Sequence, residues 1–399
     1  MAHYKMLDGN AAAVEAMKMA KIRVVSAYPI TPQSSIAEKL SELCGSGELQ
    51  AKYIRVESEH SAMSCAIGAQ LTGVRTGTAT SSVGLALMHE VLNVASGCRV
   101  PIVMPVVNRS LASPWSLWCD HQDSMAERDS GWLQFYCENV QDVFDTMMIA
   151  YRVAEDAQVL TPAMVCLDGF FLSHSMQKVL LPEQNEVDAF LGEYQAKNLQ
   201  LNPADPIVIN NLTGSDEITE MKYQQAVGFR NAETVMEDVF HAFEQQFGRR
   251  KELVEGYNLE DAEAVIVCLG SMAGTAKYVS DQLRAAGKKV GVVKVRVFRP
   301  FPAQKLCQLL HGIAKIAVVD RTTGFGAQGT PLWLEVNAAL GHEQPLIKNY
   351  IAGLAGRDIS TNTMENIFVD ILSGQESSTP VWIDCKENPM DIREVLLHV

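Results

Sequence analysis

The chain has 399 residues, 47 % hydrophobic and 20 % charged, enough for about two or three domains with substantial buried cores. Its net charge of −14 argues against nucleic acid or an anionic membrane as the main partner. No apolar run approaches the ~20 residues that span a bilayer, and the N-terminal stretch has no apolar signal core, so a cytoplasmic location is expected. The nine cysteines are scattered, with no C-x-x-C. Reduced, mostly buried thiols are expected, rather than a disulfide framework, a zinc knuckle or a self-contained iron–sulfur site.

In chain order, residues 8–180 read as alternating helix and strand. Short β-branched runs at 22–27, 99–107 and 161–167 predict strands, and Ala-, Met-, Leu- and Glu-rich stretches at 32–44, 59–71 and 140–157 predict helices. That alternation implies a parallel sheet with helices on both faces. Small residues crowd 68–84, where backbones or a ligand could approach closely. Residues 182–255 turn polar and read as a connecting excursion with one long amphipathic helix near 231–247. A second, smaller α/β unit follows, with strands at 264–269, 289–294 and 316–319 and a helix at 275–286.

Three segments could carry chemistry. In VVSAYPITPQSS, the loop Tyr28-Pro29-Ile30-Thr31-Pro32 leaves a strand and enters a helix, at the strand end where open α/β sheets bind ligands. Pro32 suits a first helical turn; Thr31 either caps that helix or offers a hydroxyl to an anion. In YIRVESEHSAMS, Glu57 and Glu59 sit two apart before a small-residue helix. Such an acid is either a dipole-favoured helix start or the carboxylate that thiamine chemistry needs beside its aminopyrimidine N1′. Arg109 leaves a buried strand and could grip a substrate carboxylate in two-pronged fashion, or pair with Asp120, Asp123 or Glu127. His121-x-Asp123 lacks the second ligand pair that a metal site requires.

Gly324-Phe-Gly326-Ala-Gln-Gly329 matches G-x-G-x-x-G only loosely, since four residues separate it from the preceding strand; a partner-facing turn is the better reading. No Gly-Asp-Gly followed about thirty residues on by Asn occurs, nor any G-x-x-x-x-G-K-S/T. Thiamine diphosphate bound here would therefore need another chain for its magnesium and phosphates.

The runs SAYPITPQSSIAEKLSEL, ESEHSAMSCAIGAQLTGVRTGTATSSVGLALMHE and VNRSLASPWSLWCDHQDSMAERDSGW, with MVCLDGFFLSH, VRVFRPFP and AGLAGRD, strongly resemble the alpha subunits of pyruvate:ferredoxin oxidoreductases. They match in order from residue 8 to about 360. The resemblance implies an α/β pyrimidine-binding thiamine domain over 1–255, its connecting segment at about 182–255, and a smaller transketolase C-terminal-type domain over 256–399. It assigns Glu59 to the pyrimidine N1′, with Tyr28 and Pro29 beside the cofactor. Thr31 and Arg109 fall to the substrate, Arg109 on the carboxylate. It implies thiamine diphosphate shared with a partner, Mg2+ and 4Fe-4S clusters on partner subunits, and coenzyme A as co-substrate. Partners would be beta, gamma and delta subunits in a dimer of heteromers, with ferredoxin or flavodoxin taking electrons. The bulky run 113–119 departs from the more polar family wording and bears on substrate choice. Alternatives are a branched-chain 2-oxo acid, 2-oxoglutarate, or a non-catalytic assembly subunit.

Overall fold

The structure is a computed structural model and describes residues 3–341 and 345–385. In chain order it runs β1 (His3–Leu7), α1 (Gly9–Met19), β2 (Val24–Ala27), α2 (Ser34–Ser46), β3 (Lys52–Arg55), α3 (Glu59–Gln70) and β4 (Thr76–Gly77). Next come α4 (Ser82–Leu87), α5 (His89–Gly97), β5 (Val103–Asn108), α6 (Gln122–Ala126), β6 (Leu133–Tyr136), α7 (Val140–Ala154), β7 (Ala163–Asp168) and β8 (Gln177–Leu181). After α8 (Gln184–Leu191) and α9 (Ser215–Phe247) stand β9 (Val254–Tyr257), β10 (Ala264–Cys268), α10 (Met272–Ala285), β11 (Val290–Val295) and β12 (Val297–Arg299). Then follow α11 (Ala303–Leu310), β13 (Lys315–Asp320), α12 (Pro331–Leu340), β14 (Leu346–Ile351), α13 (Thr361–Ser373) and β15 (Val381–Trp382).

The first sheet is built in two pieces. Parallel β3-β2-β4 joins β12-β6-β7-β5 through a parallel bridge between Thr80 and Val106. Strands β5 and β7 are buried at every residue, as the near-continuous apolar runs of covered parallel strands require. The edge strand β12 runs antiparallel to β6, so the chain returns to the first sheet after building part of the second. A separate antiparallel pair, β1 with β8, fastens the N-terminus.

The second sheet, β15-β14-β13-β10-β11-β9, is parallel except for antiparallel β9. Its two faces can be read from residue parity. Ala264, Ile266 and Cys268 pack in one apolar cluster with residues of α10 and α13. Val265, Val267 and Leu269 face the other way, into the large core shared with α11, α12 and the first sheet. Each fully buried Val or Ile here contributes about 1.5–3 kcal/mol of transfer free energy.

Apart from the long helix, every expected strand and helix is present, with ends shifted by no more than four residues. The helix expected near 231–247 starts at Ser215. Its apolar stripe begins only at Gly228 and Ala232, so its exposed opening turns left no periodic signal, while Asp216 and Glu217 favour the start. The thiols are free, but only four of nine are buried; the others are half-buried or exposed.

Candidate active site

Because β2, β3, β5 and β7 are parallel, the segments that leave them emerge along one rim, together with the residues following β4. The segment after β2 is a turn rather than a helix start, since α2 begins at Ser34 and Gln33 holds the cap position without a side-chain bond. Thr31 therefore caps nothing, and Pro32 lies before the helix instead of in its first turn. Asn10 on α1 clamps the turn by donating to the Pro32 carbonyl at 2.8 Å and to Ser35 Oγ at 2.7 Å. Tyr28, Pro29 and the Thr31 side chain are left exposed.

Glu57 and Glu59 separate cleanly. Glu57 is exposed and accepts the Ser61 hydroxyl, a bond that lowers its pKa. Ser58 caps α3 by accepting from the Ser61 N–H at 3.2 Å. Glu59 opens α3 buried, and burial raises its pKa. Among the described residues no side chain donates to its carboxylate. It lies over Gly84, where an added Cβ would stand 2.5 Å from Glu59 Oε1 and 2.7 Å from Thr80 Oγ1.

Arg109 is 4 % exposed and forms none of the expected ion pairs. Its Nε donates to the Ser116 carbonyl at 2.9 Å and its Nη1 to the Thr31 carbonyl at 3.0 Å. Of five guanidinium hydrogens, the two on Nη2 and one on Nη1 remain free within the described chain. Burial lowers its pKa, opposed by the nearby Asp123; an arginine stays charged regardless.

Asp123, which the sequence offered only as one possible partner of Arg109 and as half of a weak metal pair, is the organiser of the rim. It accepts four hydrogen bonds: from Ser82 N (2.9 Å), Arg109 N (3.0 Å), Ser124 N (2.8 Å) and Asn108 Nδ2 (2.8 Å). Burial nevertheless pushes its carboxyl up to about 6. It thereby ties the start of α4, which carries Gly84 against Glu59, to the backbone of Arg109. Contacts thus run without a break from Glu59 through Gly84, Ser82, Asp123 and Arg109 to Thr31.

His121 turns away from Asp123. Its Nε2 lies 2.7 Å from Asp168 Oδ1 at the end of β7, and Arg321, just past β13, donates to Asp168 Oδ2 at 2.9 Å. Burial raises the Asp168 pKa, but His121 and Arg321 overrule it and hold the carboxyl well below the usual carboxylate range. No metal reading of His121 and Asp123 survives this arrangement. Their spacing in the chain carried no hint of it; only the motif MVCLDGFFLSH contained Asp168.

The rim is polar beyond its own needs. Gln33 Nε2, Thr78 Oγ1, Thr80 Oγ1 and Ser81 Oγ are buried without a hydrogen-bond partner in the described chain. Buried polar atoms normally find partners, so these atoms on the rim, with Thr80 beside Glu59 at Gly84, point to a bound polar group. An aminopyrimidine fits them: a carboxylate without a competing donor, a glycine that leaves room beside it, and hydroxyls left over.

Residues 15–241 match the family described as pyruvate flavodoxin/ferredoxin oxidoreductase, thiamine diphosphate-binding. Residues 262–364 match pyruvate:ferredoxin oxidoreductase core domain II. In fold, the chain is similar to 2-oxoglutarate:ferredoxin oxidoreductase from Magnetococcus marinus, with a TM-score of 0.71 at 18 % identity. That likeness covers 92 % of this chain and 65 % of the other. In sequence it is 46 % identical over 389 residues to pyruvate synthase subunit PorA of Methanocaldococcus jannaschii, covering 97 % of this chain and 99 % of that protein. It is 44 % identical over 376 residues to ketoisovalerate oxidoreductase subunit VorA of Pyrococcus abyssi, covering 94 % of each. The architecture is thus that of a 2-oxoacid:ferredoxin oxidoreductase. The chain belongs to the pyruvate flavodoxin/ferredoxin oxidoreductase family.

Proposed function

We propose that this chain is the alpha-type subunit of a pyruvate:ferredoxin oxidoreductase, supplying the pyrimidine-activating and carboxylate-gripping half of a divided thiamine diphosphate site. The overall reaction would convert pyruvate and coenzyme A to acetyl-CoA, CO₂, a proton and two electrons, reversibly. Thiamine diphosphate, when bound, supplies a carbon nucleophile and a sink for the electron pair released as the carboxylate leaves. Glu59 shares a proton with the pyrimidine N1′, a role suited to a buried carboxyl raised above its ordinary range. Arg109 receives the 2-oxo carboxylate on its free Nη hydrogens, and the exposed Thr31 hydroxyl donates to the ketone oxygen. Tyr28 and Pro29 border the same turn.

Partner chains of the beta, gamma and delta type would hold the diphosphate, Mg2+ and 4Fe-4S clusters, in a dimer of heteromers that reduces ferredoxin or flavodoxin. Support comes from the missing C-x-x-C and Gly-Asp-Gly patterns. The chain divides into the pyrimidine-binding and C-terminal-type units at about residue 255, and we assign the complex to the cytoplasm. Among the described residues no helix is long and apolar enough to cross a membrane.

The observation that carries this reading is Arg109: a buried cation at the rim with no carboxylate paired to it among the described residues. The test is turnover by the assembled complex, followed as coenzyme A-dependent reduction of a one-electron acceptor, with pyruvate, a branched-chain 2-oxo acid and 2-oxoglutarate side by side. Pyruvate should give the highest kcat/KM, and the alpha chain alone should be inactive. Preference for the branched-chain acid would move the chain to the activity that the VorA relative's name describes. Activity of the isolated chain would sink the divided site.

A further inference from the structure

The segment that carries Arg109 is held from behind by the second sheet. Residues 110–121 leave β5, run out through the exposed Trp115, and come back to a neck where the Ser110 N–H donates to the Trp118 carbonyl at 3.0 Å. Each residue of the returning leg then meets the second sheet's own rim. The Cys119 carbonyl accepts the Gly356 N–H at 2.6 Å, Asp120 Oδ2 accepts the Ala355 N–H at 3.1 Å, and the His121 N–H donates to the Arg321 carbonyl at 2.8 Å. Trp118 packs on Phe170 with ring centroids 4.7 Å apart, and it presses on Gly356 so closely that a Cβ there would overlap its own Cβ. Gly356 also has φ +76°, a left-handed backbone that favours glycine.

Side chains repeat the connection. Asp168 of the first sheet accepts from Arg321, from the Ser271 N–H at 3.2 Å and from the Ser271 hydroxyl, while bonding His121. His121, Asp168 and Arg321 are each at most 2 % exposed. The middle of the loop reaches the site through one bond: the Ser116 carbonyl on Arg109 Nε. Whatever fixes the returning leg therefore fixes where that carbonyl sits, and with it the plane of the guanidinium.

We propose that Arg321, Asp168 and the turn 353–356 are positioning residues that make the second unit set the aim of Arg109 at the substrate carboxylate. The inference rests on the reading of Arg109 given above. A second unit that merely fills space would leave the affinity for the 2-oxo acid unchanged. One that aims Arg109 controls that affinity specifically, because neither coenzyme A nor the electron carrier touches this arginine on that reading.

The test uses the assembled complex carrying Gly356→Ala, which forces Trp118 off the turn, or Arg321→Lys, which keeps the charge on Asp168 but loses the planar fork. Each should raise KM for the 2-oxo acid about tenfold or more, with kcat changed less than about threefold and KM for coenzyme A unchanged. Arg109→Lys is the control, and its double variant with Gly356→Ala should add little further, since both act on one interaction. If Arg109→Lys leaves KM for the 2-oxo acid unchanged, the reading of Arg109 itself fails. If it raises that KM and the two second-unit variants do not, only the positioning inference fails. Parallel rises in both KM values, or failure of both variants to assemble, would also overturn it by assigning the network to the fold alone.

Discussion

Replacing Asp123 by asparagine tests the centre of the rim on a pH axis. The wild-type carboxylate accepts four N–H groups, two on each oxygen: Ser82 N and Arg109 N on Oδ2, Asn108 Nδ2 and Ser124 N on Oδ1. Asparagine has the same shape but one oxygen and one NH₂, so either orientation sets two donors against a donor. Two buried unsatisfied groups cost about 2–6 kcal/mol at about 1–3 each. Against this, burial lifts the Asp123 carboxyl from 3.8 to about 6. A raised acid binds its proton more tightly in the folded state, so its contribution is full below the unfolded value and is lost as pH rises through the folded one. That loss is about 3 kcal/mol over the whole window, about 1.4 of it above pH 5. The substituted amide does not titrate. Urea unfolding of both full chains at several pH values should therefore show the variant least destabilised near pH 7 and progressively worse toward pH 4. A stability difference independent of pH would refute the reasoning. At pH 7 the variant should also lose 2-oxo acid affinity, because the Arg109 N–H is one of the two donors that Oδ2 holds.

Three further outcomes follow from the same geometry. Glu59→Gln keeps the shape beside Gly84 but cannot share a proton in the same way, so kcat should fall about 10²–10⁴-fold with KM for the 2-oxo acid little changed; steady-state assays of the complex decide it, and near-normal kcat rules the assignment out. Arg109→Lys should lose about 10- to 150-fold in kcat/KM, since one ammonium nitrogen cannot reproduce the separate Nε and Nη donors that meet Ser116 and Thr31 and still offer two more to a carboxylate, and a charged hydrogen bond contributes about 1.5–3 kcal/mol; an unchanged value contradicts it. Asp142 on α7 is buried against Arg296, Lys294 at 3.1 Å and Lys251 at 2.9 Å. Burial raises its pKa, but those cations reverse the shift and hold it well below the usual range. Asp142→Ala should destabilise the chain by about 3 kcal/mol at neutral pH, the low end for a broken buried pair, because Arg296, Lys294 and Lys251 keep Glu255, Glu138 and Asp145 as partners. Because the folded pKa is depressed, that deficit should shrink as pH falls below the unfolded value of about 3.8, and a deficit constant into acid would argue against the pairing.

Six of the fifteen strands among the described residues, β2, β5, β7, β10, β11 and β13, were legible because burial on both faces writes a continuous apolar run, and AVIVC at β10 is visible without coordinates. Strand β12 was not. Its three residues pair across the chain with β6, and no local pattern distinguishes them from the strand that precedes them. The opening turns of α9 escaped for the opposite reason, being exposed on every side. At the site, local pattern placed Glu59 and Thr31 no better than a helix acid and a cap, and resemblance alone singled them out. Structure separates Glu59 from Glu57 by burial, a property that depends on Gly84 and Thr80 more than twenty residues away.

Asp123 shows where reading by residue type reaches its end. Beside His121 it could have been half of a metal pair, a reading that the missing second ligand pair spoke against, and each residue is committed elsewhere, Asp123 to backbone N–H groups and His121 to Asp168. One reaches backbone N–H groups that every sequence possesses and the other a carboxylate 47 residues away, so no motif announces them. They decide which groups the rim leaves free all the same. An arginine is useful for binding a carboxylate only if the protein leaves its hydrogens free and its plane fixed. Here Asp123 holds the arginine's backbone rather than its guanidinium, and two carbonyls, Thr31 and Ser116, hold the guanidinium without neutralising it. The nearest acid is thus used to place the cation rather than to neutralise it.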